Sequence, residues 1–110
     1  MERSTRPPEL QTEIELLAGI GARQLPAWRP TVQPIGSSAG TLALGVVFAS
    51  SPARATGGER FAASILVLAW PDPATDWLHQ PGAEFIVSEG STIIGRGRVI
   101  AVGGVGGIDA

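Results

Sequence analysis

Glycine and proline divide this chain into short segments. Its 110 residues include fifteen glycines and nine prolines, and both residue types interrupt regular secondary structure. Between them the sequence alternates apolar with polar residues or runs apolar over a few positions, and no long stretch has helical spacing. This pattern predicts an all-β domain. The candidate strands are residues 12–17, 31–33, 41–48, 60–69, 83–88 and 92–102.

Length and composition predict one small domain. A chain of 110 residues can bury a modest core, and we expect residues 10–102 to form it, with residues 1–9 and 103–110 as flexible ends. The sequence has no apolar run of the length of a signal peptide or a membrane span. It also has no cysteine, which fits a reducing compartment. We therefore expect a cytoplasmic protein without a membrane partner.

The last third of the chain predicts a β-hairpin, in which the pleat decides which side chains face the core. A three-residue loop over 89–91 places Val87 opposite Ile93 and Phe85 opposite Gly95. A two-residue loop would turn the arginines of the second strand inward, where an unpaired guanidinium costs several kcal/mol. We therefore prefer the longer loop. The residues of the second strand that it directs inward are Ile93, Gly95, Gly97 and Val99.

The same register predicts the outer surface of the hairpin. Glu84 lies opposite Arg96, an exposed ion pair worth at most about 1 kcal/mol. Ile86 lies opposite Ile94, and this pair is either an ordinary apolar patch or a docking face for a protein or a second copy of the chain. Arg98 shares the outward face with Arg96, so the two side chains either are solvated charges or hold a phosphate.

Two tryptophans lie in one proline-rich connector. Trp70 and Trp77 flank Pro71-Asp72-Pro73. They either plug the connector locally or are exposed anchors that bind a protein or stack on bases. The same connector holds the only histidine, His79, which cannot build a zinc site without a second histidine or a cysteine. We expect His79 to be a surface loop residue.

Five short motifs follow one another along the chain. They are Thr12-Glu13-Ile14-Glu15-Leu16-Leu17, Ala22-Arg23-Gln24, Trp28-Arg29-Pro30, Gly58-Glu59-Arg60-Phe61 and Glu89-Gly90-Ser91. In this order and spacing, from about residue 10 to residue 100, they resemble the C-terminal β-barrel, domain III, of translation elongation factor Tu. The resemblance implies a closed six-stranded antiparallel β-barrel.

The resemblance also implies a surface for binding. In that family the barrel contacts the acceptor and T arms of aminoacyl-tRNA and serves as a protein docking face. Arg23, Arg29, Glu89 and Gly90 match the family's pattern at the RNA-facing side. Arg29 has a second interpretation, in which its guanidinium satisfies carbonyls or a carboxylate at the barrel rim. The departures from the family's pattern are Gln24, Thr31 and Trp70.

Missing motifs limit the function. No stretch matches Gly-x-x-x-x-Gly-Lys-Ser/Thr, and the chain contains no lysine. We therefore expect no nucleotide, no cofactor, no metal and no catalysis. A net charge of -2 disfavours a nonspecific nucleic-acid binder. The predicted function is a non-catalytic module that binds a protein partner or itself, and the alternative is tRNA or RNA binding in a translation-related role.

Overall fold

The computed structural model describes residues 6–36 and 43–103, and these residues form a β-barrel with short connections. The strands, in chain order, are β1 (Leu10–Leu16), β2 (Arg23–Gln24), β3 (Thr31–Pro34), β4 (Leu44–Ser50), β5 (Arg54–Ala55), β6 (Arg60–Val67), β7 (Glu84–Glu89) and β8 (Thr92–Val102).

Six of these strands close the barrel in the order β1, β6, β4, β3, β7, β8, and β8 pairs back onto β1. Every pairing is antiparallel, and the short strands β2 and β5 form a separate two-stranded sheet. Helical structure in the described residues is limited to 3₁₀ helices over Leu25–Ala27 and Pro73–Leu78. The predicted closed six-stranded antiparallel barrel is therefore confirmed. None of the described helices is long and apolar enough to cross a bilayer.

Pleat alternation directs one face of each barrel strand into a common core. On β1 every second residue is buried, from Leu10 to Leu16. The polar member of this series, Thr12, donates its hydroxyl to the carbonyl oxygen of Ala63 at 2.8 Å, so its burial leaves no unsatisfied group. The largest fully buried side chains include Phe85, Leu10, Ile14, Leu16, Leu25, Ile65, Leu78 and Ile94.

The hairpin of β7 and β8 differs from the predicted one by a β-bulge. Glu89 pairs with Thr92 across a two-residue turn, in which Gly90 has the expected positive φ of 59°. The register then shifts between Val87 and Ser88, because β8 contains one extra residue there. The three-residue loop was therefore a wrong prediction. The extra residue restores the alternation beyond the bulge, so a two-residue turn does not direct the arginines of β8 into the core.

The bulge exchanges two isoleucines between core and surface. Ile94 was predicted to be outside and is buried at 2% exposure, whereas Ile93 was predicted to be inside and is 51% exposed. Ile86 pairs with Arg96, so the predicted docking pair of Ile86 and Ile94 does not exist. Glu84 pairs with Arg98 instead of Arg96. The other three inward positions of β8 are confirmed, because Gly95 and Val99 are buried and the Cβ position of the half-buried Gly97 faces the ring of Phe85.

Gly97 makes room for the ring of Phe85, which is fully buried. The two residues pair across β7 and β8. A Cβ atom on Gly97 would lie 2.6 Å from Cζ of Phe85 and 2.8 Å from the carbonyl oxygen of Glu13. The strand therefore lacks a side chain where a large ring and the neighbouring backbone fill the core.

The ends of the described chain meet beside the barrel. Pro8 is buried, and the amide of Gly103 donates to the carbonyl oxygen of Glu9 at 2.8 Å. These residues were predicted to belong to the flexible ends, and that prediction was wrong for them. The remainder of those ends, residues 1–5 and 104–110, lies outside the described residues.

Substitution of the two adjacent isoleucines tests the bulge. We expect Ile94→Asp to lower the free energy of unfolding by about 3–5 kcal/mol, because it buries a carboxylate without a partner. Ile93→Asp is the matched control, and it should change that free energy by no more than about 1 kcal/mol because the side chain is half exposed. Urea denaturation of both variants measures the difference. Equal effects, or a larger effect at Ile93, would contradict the observed register.

Substitution of Gly97 tests the close approach of Phe85. We expect Gly97→Ala to lower the free energy of unfolding by about 1–3 kcal/mol, since the ring and the backbone of β1 must move. Gly45→Ala on β4 is the control, because its Cβ would meet its nearest neighbour, Cδ1 of Leu68, at 3.4 Å. Neither glycine has a positive φ, so alanine is tolerated by the backbone at both positions. In thermal unfolding, the melting temperature of Gly97→Ala should lie clearly below that of Gly45→Ala. A Gly97→Ala protein as stable as wild type would contradict the close approach of Phe85.

Candidate functional site

Glu89, at the end of β7, is bound by two side chains from the segment between β1 and β3. Arg23 donates to it from both sides of its guanidinium, with Nε 2.6 Å from Oε2 and Nη2 2.8 Å from Oε1. The indole of Trp28 also donates, with Nε1 2.5 Å from Oε2. Such a bidentate charge-assisted pair is among the stronger side-chain interactions in proteins. The cluster therefore attaches the β2 segment to the tip of the hairpin.

The ionisation of Glu89 is coupled to these contacts. The hydrogen bond from Arg23 is the main cause that lowers the pKa of Glu89, and the hydrogen bond from Trp28 and the charge of Arg23 act in the same direction. Partial burial opposes them. The same hydrogen bond raises the pKa of Arg23. At neutral pH the cluster is an ion pair, and neither charge is available to a ligand unless the pair opens.

Trp28 and Arg29 contact the chain itself. The Trp28 ring is buried and stacks on Phe48, with centroids 5.6 Å apart and planes inclined by 10°. Nη1 of Arg29 donates to the carbonyl oxygens of Pro26 at 2.9 Å and of Trp28 at 3.0 Å. These carbonyl contacts are those expected of the rim interpretation of Arg29.

Outward side chains on four neighbouring strands form a second candidate site, which we call the charged face. In this part of the barrel β1 presents only carboxylates and β8 only guanidiniums. Glu15 pairs with Arg60 on one side and Arg96 on the other, and their Nη2 atoms lie 3.7 and 3.5 Å from its Oε1. The members of the charged face are Glu13, Glu15, Arg60, Glu84, Arg96 and Arg98.

The charged face has two rows of residues that pair across the strands. Glu15 and Arg96 lie in one row, and Arg98 lies in the other. Its cross-strand neighbours are Glu13 on β1 and Glu84 on β7. Within residues 6–36 and 43–103, however, neither carboxylate forms an ion pair with Arg98 within 4.0 Å. The charges of this row are therefore adjacent in the sheet but available to an external group.

A shallow depression of about 410 Å³ lies between the charged side chains. Its floor includes Ile14 and Gly97, which pair across β1 and β8, and Ile35, 48% exposed, lies at its side. Since both signs of charge surround it, the depression suits a partner that carries both cations and anions. Among the described residues no cluster of three or more His, Cys, Asp or Glu side chains has the arrangement of a metal site.

The two connector tryptophans are half-buried. Trp77 packs against the core, and Trp70 contacts His79 with ring centroids 4.5 Å apart. His79 lies in a bend after the second 3₁₀ helix, as predicted for a loop residue, but it is half-buried, with Nδ1 2.8 Å from the carbonyl oxygen of Thr75. These contacts fit the interpretation of the tryptophans as a local plug.

The structure brings together only part of the predicted site. Arg23 joins Glu89, and Arg96 and Arg98 share one face as expected. Ile94 is in the core and is withdrawn as an interface residue, while Ile86 is half-buried beside the charged face. The indole of Trp28 and the carboxylates of β1 were not predicted as site residues. The signal for the latter was present, because Glu13 and Glu15 alternate with buried residues.

Replacement of Glu89 tests the cluster. At neutral pH we expect Glu89→Gln to lower the free energy of unfolding by about 1–2 kcal/mol, because charge-assisted bonds are lost at a side chain that remains 35% exposed. The lowered pKa of Glu89 means that its stabilising contribution is complete above the ordinary pKa of 4.5 and is lost as pH falls through the folded-state pKa.

The difference in stability between wild type and Glu89→Gln should therefore shrink in acid. Chemical denaturation between about pH 7 and about pH 3 measures it. Glu84→Gln on the same strand is the control, and we expect it to change stability by no more than about 0.5 kcal/mol at neutral pH because Glu84 is exposed. A pH-independent cost of Glu89→Gln would contradict the ion pair.

No protein-family model matches the chain, and no curated protein sequence matches it significantly. The resemblance of its motifs to domain III of elongation factor Tu stays a prediction, and the fold of the chain is a closed six-stranded antiparallel barrel.

Proposed function

We propose that this barrel is a non-catalytic module that binds a protein partner through the charged face. The observation that carries the proposal is the alternation of charge there, with carboxylates on β1 between guanidiniums on β6 and β8. A surface of mixed sign favours a partner that carries both signs, because complementary patterns select the partner and fix its register. A polyanion would be repelled by the carboxylates as it approached the arginines.

The arginines predicted to bind RNA also favour this choice. Arg23 is held by Glu89, Arg29 donates to carbonyls of its own segment, and Arg96 shares the carboxylate of Glu15. Phosphate binding requires donors that are free to leave their partners. Binding of RNA through these side chains would therefore begin by breaking contacts within the barrel.

RNA binding in a translation-related role remains the alternative. It is favoured by the position of Arg96 and Arg98, two residues apart on the exposed side of β8. Two guanidiniums at this spacing can contact one phosphodiester backbone. The resemblance to domain III of elongation factor Tu is compatible with either function.

Capture from lysate with matched variants distinguishes the two functions. We expect the tagged wild-type protein to retain a specific protein, identified by mass spectrometry, after ribonuclease treatment. Arg98→Glu should abolish the capture, because it places a third carboxylate in the row of Glu13 and Glu84. Arg54→Glu, which alters an exposed arginine on β5, should not.

The opposite pattern would refute the proposal. Captured RNA that is released steeply as salt concentration rises, and lost with Arg98→Glu, would establish the alternative. A captured protein that Arg98→Glu does not affect would exclude the charged face as the docking site. Circular dichroism of each variant verifies that the barrel is folded.

A further inference from the structure

The centre of the charged face consists of two adjacent stripes of opposite sign, with Arg60 and Glu84 on the strands that flank them. The outward side of β1 carries Glu13 and Glu15, and the outward side of the adjacent β8 carries Arg96 and Arg98. In the sheet register Glu15 is level with Arg96 and Glu13 is level with Arg98. An acidic stripe therefore lies directly beside a basic stripe of the same length.

Adjacent stripes of opposite sign are complementary to themselves. A two-fold axis parallel to the strands and above the seam between β1 and β8 would place the acidic stripe of one copy over the basic stripe of another. Residues of the same row would then face each other. Glu15 of each copy would face Arg96 of the other copy, and Glu13 of each copy would face Arg98 of the other, so that each pair occurs twice. Such an arrangement is an isologous interface, the commonest kind in homodimers.

We propose that the charged face binds a second copy of this chain, with β1 of each copy over β8 of the other. This inference rests on the proposed function and names its partner. Arg98 contributes most, since within the described part of the chain it has no ion pair although Glu13 and Glu84 are its neighbours in the sheet. In the dimer it meets the Glu13 of the other copy without competition from an existing contact.

The depression supplies the space that the contact needs. Its volume of about 410 Å³ lies over the Ile14 and Gly97 pair, between the two stripes. Long guanidinium side chains from a second copy would enter it from above. Ile86 and Ile35, which border the face, would lose solvent contact and add an apolar margin.

The geometry also limits the strength of the dimer. Neighbouring strands are about 4.8 Å apart, and the outer surface of a six-stranded barrel curves away on both sides of the seam. The contact is therefore smaller than the roughly 1,200–2,000 Å² of a standard interface. We expect a reversible dimer with a Kd in the micromolar range or weaker, which salt dissociates.

Charge reversal of whole stripes provides the decisive test. One variant combines Glu13→Arg with Glu15→Arg, and the other combines Arg96→Glu with Arg98→Glu. Each alone presents stripes of a single sign, so its Kd for self-association should rise at least about tenfold. An equal mixture of the two variants should form a heterodimer, because the stripes are again complementary. Sedimentation equilibrium gives the masses, and Arg54→Glu should dimerise like wild type.

Wild-type protein provides a test that does not depend on the folding of the variants. Its sedimentation mass should change from dimer to monomer as salt concentration is raised. A monomer at low salt and high protein concentration would overturn the inference, as would a dimer that salt does not affect or folded variants that do not associate on mixing. If the wild type is a monomer but captures another protein in a manner that requires Arg98, only the self-association is refuted. If it captures RNA instead, the proposed function is refuted as well.

Discussion

The closure of the barrel depends on β8, which pairs with β7 along one edge and with β1 along the other. Two of its inward positions are glycines. At Gly95 a side chain would meet the carbonyl oxygen of Glu15 at 2.7 Å, and at Gly97 it would meet the ring of Phe85. A barrel of only six strands has a narrow interior. The large ring of Phe85 on β7 therefore fits only because the position that it faces on β8 has no side chain. The same closure places β1 beside β8 and so creates the two stripes of charge.

Local sequence signals were sufficient for the strands but not for their register. Alternation and the positions of glycine and proline located all six barrel strands, because burial of one face is a property of each strand by itself. They did not locate the bulge in β8. Alternation restarts on either side of an extra residue. The pattern around Ile93 and Ile94 is therefore compatible with a three-residue loop and also with a two-residue turn followed by a bulge. The arginines of β8 do stay out of the core, but a bulge achieves this as well as a longer loop does.

The site was predictable to the extent that its residues lie on one strand. The arginines of β8 and the glutamates of β1 each alternate with inward residues, so their outward direction can be deduced from the sequence. Their adjacency cannot, because it results from the pairing of the first strand with the last. The pair of Arg23 and Glu89 joins residues 66 positions apart, and only the resemblance to a known barrel drew attention to both. Nothing local indicated that Trp28 would join them.

The ion pairs within the charged face are weak, which is compatible with the binding that we propose for it. Arg60 and Arg96 approach Glu15 only to 3.7 and 3.5 Å, and both arginines are more than half exposed. Exposed pairs of this kind contribute between zero and about 1 kcal/mol to stability. Their exchange for contacts with a partner therefore costs the barrel little, whereas opening the bidentate pair of Arg23 and Glu89 would detach the β2 segment from the hairpin. One cluster thus holds the fold together, and the other is the surface for which we propose a partner.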